Sequence, residues 1–566
     1  MDTKRVWVAL VLMVATGGCL VGPNYRTPQT QASAGWSGLK PGAAATQPTS
    51  GPTTQPAELG AWWKALHDPM LDGLMARAIE SNLDLRLATA RVREARAQRD
   101  VTAAGFWPLI NVSGGYSYSG ASQNAGPKTK TPKTTRGGLP TVTLQPAAAG
   151  TGGGPPNVTV TPARIGPFPL GGSRAPSLTL QPGAASTANG VGSPSATISP
   201  SGSSGSGGTS GASTGAGVSR QLNLFQAGFD ATWELDIFGG VRRSIEAADA
   251  DIAASEESRR DVLVTLLSEV ALNYTQLRGS QRRLAIAYEN IAAQQDTVEL
   301  SQTRYNAGFT NELDVSQAQA QLATTQSQVP LLETSIRQAI YQLSVLLGQP
   351  PDALVAELEQ EAPIPATPPD VPVGLPSELL RRRPDIRTAE RQLAAATARI
   401  GEAMADLFPK FSLTGSFGTQ TRDIRHFLDA KSLFWSIGPA VSWPIFDAGA
   451  IRANIRVQNA RQEEALATYE KTVLTAFQDV ENSLVAYLNE QVRHRALAEA
   501  VAANQRSTDL SNELYGRGLA AFLNVLVSEQ ALYASQDQLV QSETTAVTNL
   551  ISLYKALGGG WEVSED

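Results

Sequence analysis

The chain of 566 residues is nearly devoid of the side chains that build covalent cross-links and metal centres. Cys19 is its only thiol, and His67, His426 and His494 are its only imidazoles. One thiol makes no internal disulfide, and three dispersed histidines make no zinc cluster. Charge is sparse as well: Asp, Glu, Lys and Arg make up 17%, and the formal net charge is −6. A nucleic-acid partner needs a basic stripe and is excluded. After residue 18 no run of 18 apolar residues occurs, which excludes a transmembrane helix but not a β-barrel, whose lipid-facing signal falls only on alternate residues. There is no phosphate-binding glycine loop, no catalytic triad and no cofactor fingerprint. The acidic stretches "ELD" and "DALVAELEQE" lack positioned partners for carboxylate hydrolysis and read as solvated helix faces.

What is present starts at the amino terminus. Lys4 and Arg5 precede an apolar run over 6–15 (VWVALVLMVA), followed by Thr16, Gly17, Gly18 and then Cys19. A charged start, a short apolar stretch and small residues make an export signal over 1–18. A cysteine directly after them resembles the bacterial lipobox, which implies diacylation of Cys19; an ordinary secretory signal with an incidental cysteine is the alternative. Leu20 rather than Asp follows, which in lipoproteins implies delivery to the outer membrane. Residues 19–60, rich in Pro, Thr and Gln over 22–56, are expected to be a lipid-anchored tether.

The rest of the chain is a repeat. From 225 to 348, a shift of 210 positions lays Trp233 on Trp443, Gly239 on Gly449, Arg242 on Arg452, Tyr305 on Tyr515, Gly308 on Gly518 and Gly348 on Gly558. Further upstream the shift is 301, placing Asp84 on Asp385 and Pro108 on Pro409. The first repeat, 61–348, is therefore longer than the second, 377–558, and the excess is a Gly/Ser/Thr/Pro/Ala tract over about 120–220. Such a composition buries too little apolar surface to order itself, and it is expected to be a disordered loop. A proline-rich linker over 349–376 joins the repeats, and 559–566 is a short tail.

Each repeat reads helix, strand, loop, strand, long helix, turn, helix. The strands are expected at about 108–119 and 222–235, then at 409–419 and 433–443. All four alternate: Ile110, Val112, Tyr116 and Tyr118 oppose Asn111, Ser113, Ser117 and Ser119, and Trp435, Ile437, Val441 and Trp443 oppose Ser436, Gly438 and Ser442. Each is close to the roughly 9 to 11 residues that cross a membrane. Four strands cannot close a barrel, so several copies must share one; two would give a plugged barrel of 8 strands and three a possible channel of 12. The helical patterns over 241–304 and 451–514 contain no proline, and 64 residues reach roughly 96 Å at about 1.5 Å per residue. Tip turns are expected at about 305–312 and 515–522.

These pieces resemble the TolC-like outer-membrane efflux factors of the lipoprotein branch. The resemblance rests on "CLVGPNY", "WWKALHDPMLDGL" (62–74), "WELDIFGGVRRSIEAA" (233–248), "RYNAGFTNELDV" (304–315), "LLRRRPDIRTAERQL" (379–393), "SWPIFDAGAIRANI" (442–455) and "LYGRGLAAFLNVL" (514–526). It implies a mostly α fold with a membrane β-barrel: a homotrimer with 12 strands in the outer membrane and a periplasmic α-barrel of coiled-coil helices. It further implies a passive conduit, not an enzyme and without a cofactor, served by a periplasmic membrane-fusion adaptor and an inner-membrane resistance-nodulation-division pump. Tyr305, Gly308, Tyr515 and Gly518 would form the tips where the adaptor docks. Asp314, Tyr515 and Asn524 would line the aperture, with Asp314 accepting a hydrogen bond from Tyr515 or else only capping its helix. Asn524 and Val527 depart from the acidic ring common in this family.

Overall fold

The computed structural model describes residues 20–28, 36, 57–120, 221–368 and 376–564. The signal, Cys19, much of the expected tether and the tract over 121–220 lie outside the described residues. In the first repeat, α1 (Pro69–Ser81) and α2 (Leu83–Ala104) precede strands β1 (Leu109–Gly120) and β2 (Gln221–Leu235). Helix α3 (Gly240–Asn306) follows, then α4 (Glu312–Gln326) and α5 (Val329–Leu346). The second repeat has α6 (Pro384–Ala405), β3 (Lys410–Thr421), β4 (Leu433–Ser442), α7 (Ala450–Gly516) and α8 (Phe522–Ala556). No helix among the described residues is long and apolar enough to cross a membrane.

The repeat is visible atom by atom. Trp233 Nε1 donates to the Phe106 carbonyl at 3.0 Å, and its counterpart Trp443 Nε1 donates to the Leu407 carbonyl at 3.1 Å. Both long helices start beside a left-handed glycine, Gly239 (φ 80°) and Gly449 (φ 85°), where a side chain would strain the backbone. Just upstream, the carboxylates of Asp236 and Asp447 accept from the helical N–H groups of Val241 at 3.2 Å and Ile451 at 2.7 Å, satisfying donors that have no intrahelical partner. The repeats differ in their returning helices. Pro330 has no N–H to give, and the first return is divided into α4 and α5; at the equivalent place Val540 lets α8 run unbroken.

The chain divides into two units. The smaller comprises 115–226 and 420–428; in it the Tyr116 hydroxyl donates to Asn223 Oδ1 at 2.9 Å and the Tyr116 and Phe225 rings lie 4.7 Å apart. The larger unit holds the helices and most of a sheet ordered β1-β2-β3-β4. Its antiparallel β3/β4 register matches the alternation: Phe411 faces Val441 and Phe417 faces Trp435, while Thr414 faces Gly438 and Ser416 faces Ser436. The two serine hydroxyls are 2.8 Å apart. The main core joins Trp62, Leu66, Leu71, Leu74 and Met75 to Leu263, Leu267, Val270 and Tyr274 of α3, and to Leu550, Ile551 and Tyr554 of α8.

Two segments that read as spacers are packed. Leu354 and Leu358 of the inter-repeat linker are buried, and Gln281 Nε2 and Arg278 Nη1 bind the carbonyls of Leu358 (2.7 Å) and Gln360 (2.8 Å). Of the expected tether, Val21, Gly22 and Asn24 accept from Arg243 of α3, Gly22 lies against Gly401 of α6, Tyr25 and Thr27 donate to Glu390 of α6, and Trp36 is buried with Leu379, Ile386 and Tyr469.

The β3/β4 register sets a test of the apolar face. Ile437→Arg is expected to cost about 2 to 4 kcal/mol of barrel stability near a bilayer midplane, whereas Ser436→Arg on the opposite face is tolerated. Heat resistance of the assembled protein on gels measures both, and equal damage from the two would refute a membrane barrel.

Candidate aperture at the helix tips

Both tips are built by the same backbone device. Gly308 (φ 79°) and Gly518 (φ 75°) take the left-handed conformation, and the next residues, Phe309 and Leu519, donate back to the carbonyls of Arg304 (2.9 Å) and Leu514 (2.8 Å). This closes the helix C-terminus while reversing the chain. Open space surrounds Gly308, so its glycine serves conformation rather than close packing.

Side chains then make the tips unequal. In the first, Asn311 Oδ1 accepts from the Asp314 N–H at 3.3 Å, and the Asp314 carboxylate accepts from the Thr310 hydroxyl. The equivalent residues of the second tip are Ala520, Ala521 and Asn524, and α8 starts with no side-chain cap. Phe522 replaces Glu312 there and is buried with Tyr515, Val525 and Ala318, the two rings meeting edge-on at 5.5 Å. Tyr515 is therefore 3% exposed, whereas its counterpart Tyr305 is 40% exposed.

The two tips are tied through Arg304. Its guanidinium lies 4.7 Å from the Tyr515 ring centroid, and Nη1 donates to the Gly516 carbonyl at 3.2 Å. A contact of this kind is worth about 0.5 to 2 kcal/mol depending on desolvation. The Tyr515 hydroxyl is buried and has no hydrogen-bond partner among the described residues. The structure thus brings Tyr515 to Arg304 and keeps Asp314 with Thr310 in its own turn. Arg304 escaped the sequence reading, although "RYNAG" places it one residue before Tyr305 and its counterpart, Leu514, has no charge. Asn524 is exposed, as are the apolar pairs Phe309 and Leu313 in one tip and Leu519 and Leu523 in the other. No group of metal-binding side chains occurs among the described residues.

Behind the tips, Glu529 of α8 is buried against α3 and accepts from the Thr297 hydroxyl at 2.8 Å. Burial raises its carboxyl above the ordinary glutamate range, only partly offset by the threonine bond. The stability it contributes is therefore full below the ordinary range and is lost as pH rises through the raised value. Glu529→Gln should raise the thermal midpoint at pH 7.5, and the gain should shrink towards pH 4 in scanning calorimetry. A gain independent of pH would sink this account.

Comparison with known proteins places these features in a family. The family model described as outer membrane efflux protein matches residues 193–349 and 375–559. The chain is 32% identical over 509 residues to the pyoverdine export outer membrane protein OpmQ of Pseudomonas aeruginosa, covering 89% of this chain and 88% of that protein. It is 29% identical over 560 residues to the toluene efflux pump outer membrane protein TtgC of Pseudomonas putida, covering 99% and 96%. Among solved structures, the outer-membrane channel OprN superimposes with a TM-score of 0.74 at 30% identity, covering 96% of this chain and all of that one. CusC superimposes with a TM-score of 0.71 at 25% identity, again covering 96% of this chain and 100% of that one.

Proposed function

Because the chain belongs to the outer membrane efflux protein family, whose members are channel components of tripartite pumps rather than enzymes, we propose that three copies close into one conduit gated at the helix tips. The observation that carries this reading is where one copy is incomplete. In the sheet, β1 and β4 are the outer strands. Among the helices, α2 packs on α3, α3 on α6 and α6 on α7, but α2 and α7 make no comparable contact with each other. The helix leading into β1 and the helix leaving β4 thus lack partners on the same two sides. Exposed Leu83, Leu87 and Val101 on α2 and Leu474, Val485 and Val492 on α7 supply apolar surface for a neighbouring copy.

A periplasmic adaptor would dock on the tip turns at Tyr305, Gly308, Tyr515 and Gly518, with the exposed Phe309 and Leu519 as apolar contacts. An inner-membrane resistance-nodulation-division pump would supply cargo and energy. Asp314 and Asn524 would line the aperture, with Tyr515, which the sequence reading also put there, buried behind them, and Arg304 would hold each protomer's two tips together at rest. The burial of the Tyr515 ring between Phe522 and the Arg304 guanidinium favours this, since the ring is already held in place for the cation.

Single-channel recording in planar bilayers tests the gate. Arg304→Met, which removes both the ring contact and the Gly516 bond, should raise resting conductance several-fold. Tyr515→Phe, which keeps the ring beneath the guanidinium, should leave it near the wild-type value, and unchanged conductance in Arg304→Met would refute gating at this contact.

Cys19 is proposed as the lipid attachment point at the outer membrane. Mass spectrometry of the mature protein should find a diacylated amino terminus that Cys19→Ser lacks. An unmodified amino terminus in the wild type would overturn the assignment.

A further inference from the structure

A cavity of about 640 Å³ opens between α3, α7, α8 and the inter-repeat linker, within the size range usual for small-molecule sites. One side of it is apolar. The linker supplies Ile364 between Pro363 and Pro365, whose rings fix the backbone, and α8 supplies Val547. Ile364 and Val547 both pack on the main core, so this wall is preformed.

Polar groups converge on the other side. Gln491, His494 and Arg495 of α7 are three and four positions apart and share one face of the helix; α3 adds Arg282 and α8 adds Glu543. His494 Nε2 engages the Glu543 carboxylate at 3.5 Å. The two guanidiniums are committed far less. Among the described residues Arg495 donates only from Nε, to the Gln491 carbonyl at 3.3 Å, and Arg282 Nη1 meets Glu289 and Glu361 only at 3.6 and 3.9 Å. Their free N–H groups suit an anion.

A buried phenol stands behind this wall. Tyr487 is 4% exposed, and its hydroxyl has no hydrogen-bond partner among the described residues. Gln491 and Thr367, both lining the cavity, sit beside it without completing a bond, and burial pushes the phenol up, so it stays a donor at physiological pH. A small rotation of the Gln491 amide would let Oε1 accept from the phenol and turn Nε2 towards the cavity.

The duplication supplies a comparison. The counterparts of Tyr487, His494 and Arg495 on α3 are Leu277, Leu284 and Ala285, and the two leucines pack in or against the core. Gln281, the counterpart of Gln491, holds the linker carbonyl of Leu358 at 2.7 Å. The helical framework therefore needs none of the three polar groups on α7. They surround open space instead.

We propose that this cavity binds a small monocarboxylate with an apolar body, its carboxylate held by Arg282, Arg495 and Gln491 Nε2, its body against Ile364 and Val547. Tyr487 is a positioning residue that acts through Gln491. The site lies within one copy and apart from the tips, so it stands independently of the gate.

Fluorine NMR on the full-length protein in lipid nanodiscs tests it, with 4-(trifluoromethyl)benzoate as probe, 4-(trifluoromethyl)benzamide as the uncharged isostere and empty nanodiscs as background. The benzoate should bind below about 1 mM and the benzamide about tenfold more weakly. Arg495→Gln, and Gln491→Glu, which places a like charge beside the ligand, should each weaken benzoate about tenfold, and Tyr487→Phe about threefold. Lys431→Gln, on the β3–β4 connection, should change nothing. No binding beyond empty nanodiscs, equal affinity for the two probes, or an affinity that survives both Arg495→Gln and Gln491→Glu would overturn the proposal. Should Arg495→Gln fail to assemble, Gln491→Glu decides.

Discussion

Backbone hydrogen bonding at the two outer strands governs the rest of this architecture. A sheet ordered β1-β2-β3-β4 leaves one row of N–H and C=O groups unpaired on β1 and another on β4. In water such edges are solvated; in hydrocarbon each unpaired group costs several kcal/mol, and only closure removes it. The helices obey the same arithmetic, for α2 and α7 emerge beside these strands and carry exposed Leu87 and Leu474. One constraint at the strands thus demands further copies and marks the surface by which they meet.

Duplication supplies the framework, and the two repeats depart from it at the tips. Left-handed glycines recur 210 positions apart at 239 and 449, at 308 and 518, and at 348 and 558, and the two tryptophan-to-carbonyl bonds recur as well. These set where the chain turns and are indifferent to what passes through. The tips break the pattern with a few exchanges: Arg304 against Leu514, Glu312 against Phe522, Asp314 against Asn524. The consequence is one polar tip and one buried aromatic tip in each copy, joined by a cation on a ring.

Packing of segments that look like spacers is the second lesson. The linker after 349 is bound by Gln281 and Arg278 through its carbonyl groups, and the segment after Leu20 is bound by Arg243 in the same way. In each case a long donor side chain on α3 reads main-chain oxygen, so the bound segment needs few apolar residues of its own. Both segments cross between the repeats, and both add contacts that neither repeat could make alone.

The alternation of Trp435, Ile437 and Val441 with Ser436, Gly438 and Ser442, the glycine turns, and the heptad-like runs without proline were legible because they are local: period, turn chemistry and helix propensity act over a few residues. The 210-residue shift carried the same reading to both halves. The Arg304–Tyr515 contact spans more than 200 positions, and the packing around Arg243 gathers residues 22, 243 and 401, so neither leaves a periodic trace. Composition misleads most at residues 21–22 and 358–360, read as parts of a tether and a linker, whose carbonyl groups are held by side chains of α3. The sequence by itself determined the elements and their order, because local sterics and hydrophobic period suffice for that. Which side chains bind which backbone was decided only in three dimensions, where burial makes a hydrogen bond obligatory.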